Sequence, residues 1–558
     1  MCPRGSRRER DGPVGGGANA AGVNGFLRET WPTRAVARST RAMIATPHAQ
    51  ATAAGADVLR RGGNAVDAAI AANAVLTVVY PASCGIGGDA FWIVHDRRTG
   101  RTTSYNGSGR TPRAASLDNL PNGVLPQRGA LSVTVPGAVR SWEDVARAHG
   151  TRGLDELLAP AEFFAREGVA VTDVVANYAR LNEPLLRDDA EATRIFLQHG
   201  LPHAGDVLRN PDLAETLAAI RREGADAFYT GAIAEQVIAT LRRGGSAMTL
   251  DDLASHRTEA TTPLRIAWNG GELLAHPPNS QGALLLLGAG MLEGDRSADE
   301  TLWHHLAVEA MKRATALRDA TFRDPAFGPV PIEAALTPDA LRTARASIDP
   351  ERATPHEALP DRGGTIWLGV VDEDGNAVSL IESLYMNFGS CVVAGGTGIV
   401  LQNRGAYFST RPGDPNVYEG GKRPMHTLSP PMFLRDGAPE IVFGTMGGDG
   451  QPQIQLQFLH QLIDRGLDVQ RALDFPRWVY GRHTLTERPD LQPGEIVLVE
   501  SRMPDEIVAS LRRRRHAVEV LGPYENAMGH AHAIVVDRAR GTLAGGSDPR
   551  ADSLALGL

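Results

Sequence analysis

The stretch "DRGGTIWLGVVDEDGNAVSL", residues 361–380, decides the fold, because an alternating apolar run begins directly after two glycines and a threonine. The alternation of apolar residues predicts two strands that flank the turn "DEDGN" at residues 372–376. A strand that starts with a hydroxyl residue, behind the most flexible dipeptide available, needs an explanation. Thr365, at the start of the first strand, is therefore the first candidate for a functional residue.

Two interpretations of Thr365 stay open on these residues alone. In the first, Gly363 and Gly364 close a linker and Thr365 opens an edge strand. In the second, the Thr365 hydroxyl is a nucleophile whose proton is taken by the residue's own α-amine, with an ordinary pKa of about 8. That second interpretation requires cleavage of the peptide bond after Gly364. Two glycines suit such a cleavage, since they tolerate a strained turn and leave the carbonyl approachable.

Composition describes a globular chain without an evident macromolecular partner. Of 558 residues, 42% are hydrophobic and 22% charged, and the formal net charge is −8, a profile that excludes a disordered protein and predicts no nucleic-acid partner. The basic run Arg512–Arg515 is interpreted as a solvated helix end. Length alone predicts about two to four domains, although a large sandwich of helices and sheets can remain one unit.

The cysteines and the chain start predict a cytoplasmic protein without a membrane segment. Three cysteines, Cys2, Cys84 and Cys391, are too few for a disulfide framework and lack metal-ligand spacing. No window reaches about 18 uninterrupted apolar residues, and the basic start has no apolar segment behind it. Residues 1–25 are expected to form a disordered tail.

Along the chain, strand pairs alternate with apolar helices, which indicates sheets packed between helix layers. Capping residues and glycines delimit helices at Ala51–Arg60 and Ala65–Val79, and two strands are expected around the turn Asp96–Gly100. An apolar helix is expected at Ala283–Leu292. Further elements are a proline-rich connector at residues 324–364 with a short helix near Ala340, and a helix at Gln453–Arg465.

Other chemistries find no support in the sequence. The pairs His304–His305 and His530/His532 lack the HExxH pattern or a matching carboxylate, so ordinary structural histidines are expected there rather than a metal site. A dinucleotide-binding glycine motif after a strand, a Walker motif and a GxSxG elbow are all missing from the sequence. No cofactor and no metal are therefore expected.

Several blocks together resemble the γ-glutamyltransferase family of N-terminal-nucleophile hydrolases. The resemblance extends from Met43 to Arg550, in the order that the family has. The blocks are "LRRGGNAVDAAIAANAVLTVVYPASCGIGGDAFWIV" (59–94), "VTVPGAV" (133–139), "PPNSQG" (277–282), "TIWLGVVDEDGNAVSL" (365–380), "FGSCVVAGGTGIVLQNRGAYFS" (388–409), "GKRPMHTLSPPM" (421–432), "GTMGGDGQPQ" (444–453) and "GGSDPR" (545–550).

The resemblance implies an α+β fold, a four-layer αββα sandwich built by two subunits of one precursor. Self-cleavage between Gly364 and Thr365 would leave a large subunit, residues 26–364 behind the tail, and a small catalytic subunit, residues 365–558. Thr365 would attack the substrate amide, Ser383 would support it, and the backbone N–H groups of Gly447 and Gly448 would stabilise the oxyanion. Water or an amine would then take the acyl group.

Departures from the family pattern bear on the substrate. Arg110 lies near the family's carboxylate-binding arginine, although an ungapped match falls on Ser108. The other departures concern residues expected to bind substrate: Arg404 and Tyr407 where γ-glutamyl enzymes have an amide and an acid, His426 and Thr427 in place of a serine pair, and Tyr385 in place of an asparagine. Arg404 offers a donor fork suited to a carboxylate, while the partner of a substrate ammonium is lost at Tyr407. Arg404 could instead pair with an internal acid.

The expected function is therefore an amidohydrolase that acts on a small amide whose acyl group carries a carboxylate, similar to the oxamate amidohydrolase branch of the family. A γ-glutamyl transpeptidase or glutathione hydrolase, a glutaryl-type cephalosporin acylase and a non-catalytic relative are the alternatives. The partners expected are a small-molecule substrate and the two subunits of one precursor. No membrane partner is expected, and whether two such heterodimers pair is left open.

Overall fold

A computed structural model describes residues 33–296, 299–355, 360–361, 364–483 and 495–558. The tail predicted at residues 1–25 and the first glycine of the motif, Gly363, lie outside the described residues. Two seven-stranded sheets organise the described chain.

Sheet I contains the motif at residues 361–380. Its strands, in spatial order, are Leu554–Gly557, Met43–Thr46, Gly364–Val371, Ala377–Tyr385, Asp89–Asp96, Arg101–Gly107 and Glu259–Thr261. All neighbours in this sheet are antiparallel. The strand that begins with the motif lies inside the sheet, so the edge-strand interpretation of Thr365 is wrong.

Sheet II faces sheet I and is also antiparallel. Its strands, in spatial order, are Ala37–Ser39, Thr542–Gly546, Ala531–Asp537, Ala438–Thr445, Pro431–Arg435, Gly271–Ala275 and Leu264–Trp268. Both sheets therefore mix segments from before and after Thr365. This interleaving means that the two halves of the chain build one unit.

Three apolar cores separate the layers and confirm the predicted four-layer αββα sandwich. The core between the sheets joins Phe91 and Trp367 of sheet I to Met432 and Ile534 of sheet II. A second core packs helices such as Ala65–Val79 on the outer face of sheet I, and a third packs others on sheet II. Ala65–Val79 is buried along its whole length, because its small side chains allow close packing on every side.

The helices lie mainly in two groups along the chain. Before the connector they are Ala49–Arg60, Ala65–Val79, Ala138–His149, Leu154–Leu157, Ala159–Glu167, Asp173–Leu181, Glu183–Asp188, Ala190–Phe196, Pro211–Glu223, Asp226–Tyr229, Gly231–Arg243, Leu250–Ala254, Ala283–Leu292 and Glu300–Thr321. Later helices are Ile332–Ala335, Pro338–Ala346, Gln451–Leu459, Val469–Asp474 and Asp505–Arg513. Across the described residues, no helix combines the length and apolar character needed to cross a membrane.

Smaller elements complete the described chain. A four-stranded sheet contains Pro360–Asp361, Trp478–His483, Glu495–Glu500 and Val518–Leu521, and two short pairs join Val169–Ala170 to Val207–Leu208 and Val393–Ala394 to Ile399–Val400. The helix predicted at Gln453–Arg465 is an α-helix only over Gln451–Leu459. It continues as a π-turn over His460–Asp464, where the His460 side chain bonds to Asp464 at 2.9 Å.

The last family-like block, "GGSDPR", ends in a buried ion network. Asp548 contacts Arg477 at 2.7 Å and Arg550 at 3.1 Å, and Arg550 also contacts Glu500 at 2.6 Å. Burial alone would raise the pKa of Asp548, but the two guanidinium groups hold that pKa well below its usual range. The charged form of Asp548 therefore stabilises the folded state at neutral pH.

An Asp548→Asn variant is expected to lose roughly 3 kcal/mol of unfolding free energy at pH 7, because it leaves buried guanidinium groups uncompensated. Urea unfolding measures this loss. Since the folded pKa of Asp548 is depressed, its contribution disappears as pH falls below the unfolded value of about 3.9, so the two proteins should converge in acid. Asp537→Asn, at an exposed pair with Arg540, is the matched control and should leave the unfolding midpoint unchanged. Equal midpoints for all three proteins would contradict this assignment.

Candidate active site

Thr365 occupies an irregular position near the start of its strand. Gly364 pairs with Tyr385 and Ile366 pairs with Glu382, so the register shifts at Thr365. Such a bulge re-aims a side chain without breaking the strand. Thr365 is buried, with 1% of its surface exposed. The bulge therefore separates Thr365 from the regular inward and outward alternation of its neighbours.

Ser383 connects the Thr365 hydroxyl to the peptide bond that precedes it. The Thr365 hydroxyl donates to Ser383 Oγ at 3.1 Å, and Ser383 Oγ donates to the Gly364 carbonyl oxygen at 2.5 Å. The Tyr385 N–H donates to Ser383 Oγ at 2.7 Å, which holds the hydroxyl in place. A donor on the Gly364 carbonyl polarises the bond that would have to be cut.

Position 364 has no room for a side chain. A Cβ added at Gly364 would lie 2.4 Å from Asn387 Oδ1. The next strand also ends in an unusual conformation, because Tyr385 has a φ of +80°. Tyrosine rarely adopts this left-handed backbone conformation.

The turn at Gly447 and Gly448 lies at the same end of the sandwich as Thr365. Trp367, two residues after Thr365, packs so closely on Gly444 that an added Cβ would lie 2.3 Å from the indole nitrogen. Gly444 precedes the turn by three residues. Gly447 and Gly448 have φ values of +135° and +53°, which favour glycine. The turn leads directly into the helix Gln451–Leu459, whose N-terminus favours negative charge.

Gln281 holds the Gly447–Gly448 turn against a second loop. Its Nε2 donates to the Gly448 carbonyl at 2.9 Å and to the Thr427 carbonyl at 3.0 Å. Its Oε1 accepts from Arg318 at 2.8 Å. Gln281 and Arg318 come from the part of the chain before Thr365, so both halves contribute to the site.

Arg404 lies in the same buried region with donors to spare. Its guanidinium stacks 4.2 Å from the centre of the Tyr385 ring, and Nη1 donates to Thr427 Oγ1 at 3.1 Å. Only 1% of Arg404 is exposed, and within the described residues Nε and Nη2 have no hydrogen-bond partner. Burial lowers the pKa of Arg404 to about 10, which still leaves it charged at neutral pH. A buried guanidinium with two unused donors is suited to an anionic ligand.

Tyr407 lies edge-on to Tyr385, with ring centres 5.6 Å apart. Its hydroxyl donates to Asp449 Oδ1 at 2.7 Å, and Arg318 bonds to the same carboxylate oxygen. Burial raises the pKa of Tyr407 well above its usual value, so the phenol stays protonated. Position 407 has a tyrosine where γ-glutamyl enzymes have an acid, but a carboxylate is still present at the site, because the Tyr407 hydroxyl donates to Asp449.

His426 pairs with an acid that sequence analysis missed. His426 Nε2 lies 3.2 Å from Asp89 Oδ2, and both residues are buried. Asp89 lies directly opposite Ser383 in the neighbouring strand of sheet I. The sequence feature that could have identified Asp89 is its position as a single charged residue inside the apolar run "GIGGDAFWIV". Gln281 and Arg318 were also missed, because their partners are distant in sequence.

The hydrogen bonds described for the Arg110 side chain go to Asp324, Gly421 and Glu259, not to these residues. Its Nη1 contacts Asp324 at 2.5 Å and Nη2 contacts Glu259 at 3.3 Å, beside a surface cavity that also contacts Arg423. Ser108, the alternative match, bonds to Asn279 at 3.3 Å inside the buried region. A role of Arg110 in substrate binding stays a prediction.

The structure thus brings together most of the predicted site residues: Gly364, Thr365, Ser383, Tyr385, Arg404, Tyr407, His426, Thr427, Gly447 and Gly448. Their catalytic and binding roles stay predictions. Among the described residues, no group of three or more histidine, cysteine, aspartate or glutamate side chains could hold a metal ion.

Comparison with known proteins bears on the family and the fold. The chain is 39% identical over 528 residues to the glutathione hydrolase-like YwrD proenzyme of Bacillus subtilis (strain 168), covering 93% of this chain and 99% of that protein. It is 37% identical over 529 residues to the oxamate amidohydrolase proenzyme of Klebsiella pneumoniae, with the same two shares. Cephalosporin acylase from Bacillus halodurans superposes with a TM-score of 0.87 and 35% identity, covering 96% of this chain and 99% of that one. The gamma-glutamyltranspeptidase family model matches residues 51–558, and the chain belongs to this family of enzymes.

Proposed function

We propose that this protein is a self-processing amidohydrolase whose nucleophile is Thr365 and whose substrate is a small amide with a carboxylate on its acyl group. The substrate part of this proposal rests on the buried guanidinium of Arg404, which has two donor nitrogens without a partner among the described residues. It stacks on the ring of Tyr385, the residue that pairs with Gly364. The names of the relatives, which include an oxamate amidohydrolase proenzyme, support the same class of reaction.

Self-processing starts from the contacts around Gly364. The Thr365 oxygen attacks the Gly364 carbonyl carbon, the oxygen of that carbonyl takes negative charge, and Ser383 donates to it. The C–N bond breaks as the Thr365 nitrogen takes up the proton that the hydroxyl has given up, which leaves an ester between Gly364 and the Thr365 oxygen. Water then hydrolyses the ester into a Gly364 carboxylate and a free Thr365 hydroxyl. The products are residues 1–364 and 365–558.

Turnover uses the new α-amine of Thr365 as the base. This amine has an ordinary pKa of about 8, so it can take the hydroxyl proton near neutral pH. The hydroxyl oxygen attacks the substrate amide, and the N–H groups of Gly447 and Gly448 receive the oxyanion. The leaving amine takes the proton and departs, and water releases the acyl group as a carboxylic acid. Each complete turnover returns the nucleophile unchanged.

Ser383 is expected to accelerate self-cleavage through its hydrogen bonds, although it forms no covalent bond in the reaction. A Ser383→Ala variant removes the donor to the Gly364 carbonyl and the acceptor of the Thr365 proton. Self-cleavage should slow by about 100-fold, in line with loss of one oxyanion donor. Denaturing electrophoresis over time measures this rate. Ser379→Ala is the matched control, because Ser379 lies on the same strand as Ser383 and its hydroxyl accepts from Trp367 Nε1. This variant should cleave normally.

Three anilides that differ only in the acyl end test the substrate class. The glutaryl anilide should have the highest kcat/KM, since its distal carboxylate binds Arg404. The butyryl anilide, without that carboxylate, should be about 100-fold poorer, because charge-assisted hydrogen bonds contribute about 1.5–3 kcal/mol each. The γ-glutamyl anilide adds an ammonium. Equal hydrolysis of the glutaryl and butyryl compounds would overturn the proposal, and ammonia release from oxamate extends the series to shorter acyl groups.

A further inference from the structure

Asp89 lies at the start of the strand Asp89–Asp96, opposite Ser383, and is 1% exposed. The proposed reaction gives it no step. A buried carboxylate beside the nucleophile strand is costly unless its charge is used or compensated. Its neighbours therefore indicate what it does.

The hydrogen bonds around Asp89 favour its ionised form. The Leu428 N–H donates to His426 Nδ1 at 3.4 Å, which assigns the ring proton to Nε2 and makes His426 a donor to Asp89 Oδ2. The Gly109 N–H donates to Asp89 Oδ1 at 3.2 Å. Burial and the nearby Arg404 charge hold the pKa of His426 well below its usual value, so the ring is neutral.

Opposing effects place the pKa of Asp89 near neutral pH. Burial raises its pKa to about 7, and attraction by Arg404 and Arg423 limits that rise. The other ionisable groups that interact with Asp89 are Glu382, whose pKa burial raises to about 8, and Tyr229, whose phenol stays protonated. Hydrogen bonds place Arg404 near Asp89: Arg404 Nη1 donates to Thr427 Oγ1, and Thr427 directly follows His426, the partner of Asp89. Asp89 therefore shares the positive charge of Arg404 with any anion bound there.

We propose that Asp89 is a specificity-determining residue: its ionised carboxylate opposes a substrate carboxylate at Arg404, so an acyl group without an ammonium binds together with a proton on Asp89. This inference rests on the proposed function, because it assumes that Arg404 binds the substrate carboxylate. The proton comes from solvent and returns to solvent when the acid product leaves, so each turnover balances.

The substrate class follows from this charge balance. A glutaryl-like group brings only negative charge to the pocket, and proton uptake at Asp89 removes the conflict. A glutamyl-like group brings its own ammonium, which compensates an ionised Asp89 without a proton. The two classes should therefore separate by pH: simple carboxylate acyl groups bind best on the acid side of neutrality, and glutamyl groups depend less on pH there.

Glutarate and glutamate differ only by the ammonium and test this on the processed wild-type enzyme. Calorimetric titration should give a dissociation constant for glutarate that rises about tenfold relative to that for glutamate between pH 6 and pH 8, as expected for one group with a pKa near 7. Repeating the titration in buffers of different ionisation enthalpy should show more proton uptake with glutarate. Both ligands place the same second carboxylate near the Thr365 amine, so titration of that amine cancels in the ratio.

Two variants identify the titrating group. Asp89→Asn should abolish the pH dependence of the glutarate-to-glutamate ratio, while Glu382→Gln, the matched buried acid next to Ser383, should keep it. If Asp89→Asn does not fold, the wild-type and Glu382→Gln titrations still test the inference, because both proteins should show the pH dependence of the glutarate-to-glutamate ratio. A pH-independent ratio with glutarate bound through Arg404 overturns this inference alone. Failure of the processed enzyme to bind glutarate at any pH overturns the proposed function with it.

Discussion

A Thr365→Ala variant is expected to remain one uncut chain and to lose amidase activity by on the order of 10⁴-fold or more, since removal of a nucleophile leaves only binding and oxyanion stabilisation. In the wild-type protein, the Thr365 hydroxyl donates to Ser383, which in turn donates to the Gly364 carbonyl. Denaturing electrophoresis of purified protein gives the first result. Wild-type protein should show two fragments, and the smaller one should begin Thr-Ile-Trp-Leu on N-terminal sequencing.

Thr365→Ser is the matched control, because serine keeps the hydroxyl and loses only a methyl group. It should still cleave. During turnover, mass spectrometry should find the acyl group of the substrate on residue 365. Thr365→Ala should show no such adduct on the fragment that begins at residue 365 or on the intact chain. An uncut wild-type chain with full activity, or an acyl adduct on another residue, would contradict the assignment of Thr365.

An Arg404→Met variant is expected to lose at least about 100-fold in kcat/KM toward the glutaryl anilide while its activity on the butyryl anilide changes less than about threefold. The structure gives the reason: Nε and Nη2 of Arg404 lack partners among the described residues, so a substrate carboxylate would be what uses them. Most of the loss should fall on KM, since the carboxylate is bound equally in the ground and transition states.

Stability separates this binding role from a structural one. A buried guanidinium with unused donors costs free energy, so Arg404→Met should keep or raise the thermal midpoint and should still self-cleave. Arg404→Lys keeps the charge but lacks the planar fork, and it should recover part of the glutaryl activity. An equal loss on both anilides, or a large fall in the midpoint, would show that Arg404 pairs with an internal acid instead.

Local sequence patterns were sufficient for much of the fold. The helices Ala65–Val79 and Ala283–Leu292 were predicted with the bounds that the structure has. Asn64 caps the start of the first helix, and Gly282 directly precedes the second. The strand pair around residues 96–100 was also confirmed. The helix predicted at Gln453–Arg465 was less accurate, since hydrophobic pattern does not distinguish an α-turn from the π-turn at His460–Asp464.

The contacts of the site were harder to predict. The motif around Thr365 and the glycine turn at 447–448 were identified from order and residue type, and the structure places them at one end of the sandwich. Asp89 and Gln281 were not identified, because a lone acid in an apolar run and an amide after two prolines have no local signature. Their partners, Asp89 with His426 and Gln281 with Gly448, are far along the chain.

The sequence by itself determined the layered fold, the family and the position of Thr365, because periodicity, capping and motif order are local properties of the chain. Only the tertiary structure decided which charges meet in the pocket. Arg404 stacks on Tyr385 with unused donors, Tyr407 donates to Asp449, and Asp89 is buried against His426. The physical reason is that a side chain's charge and its competition for partners depend on burial and on neighbours that strand pairing brings together.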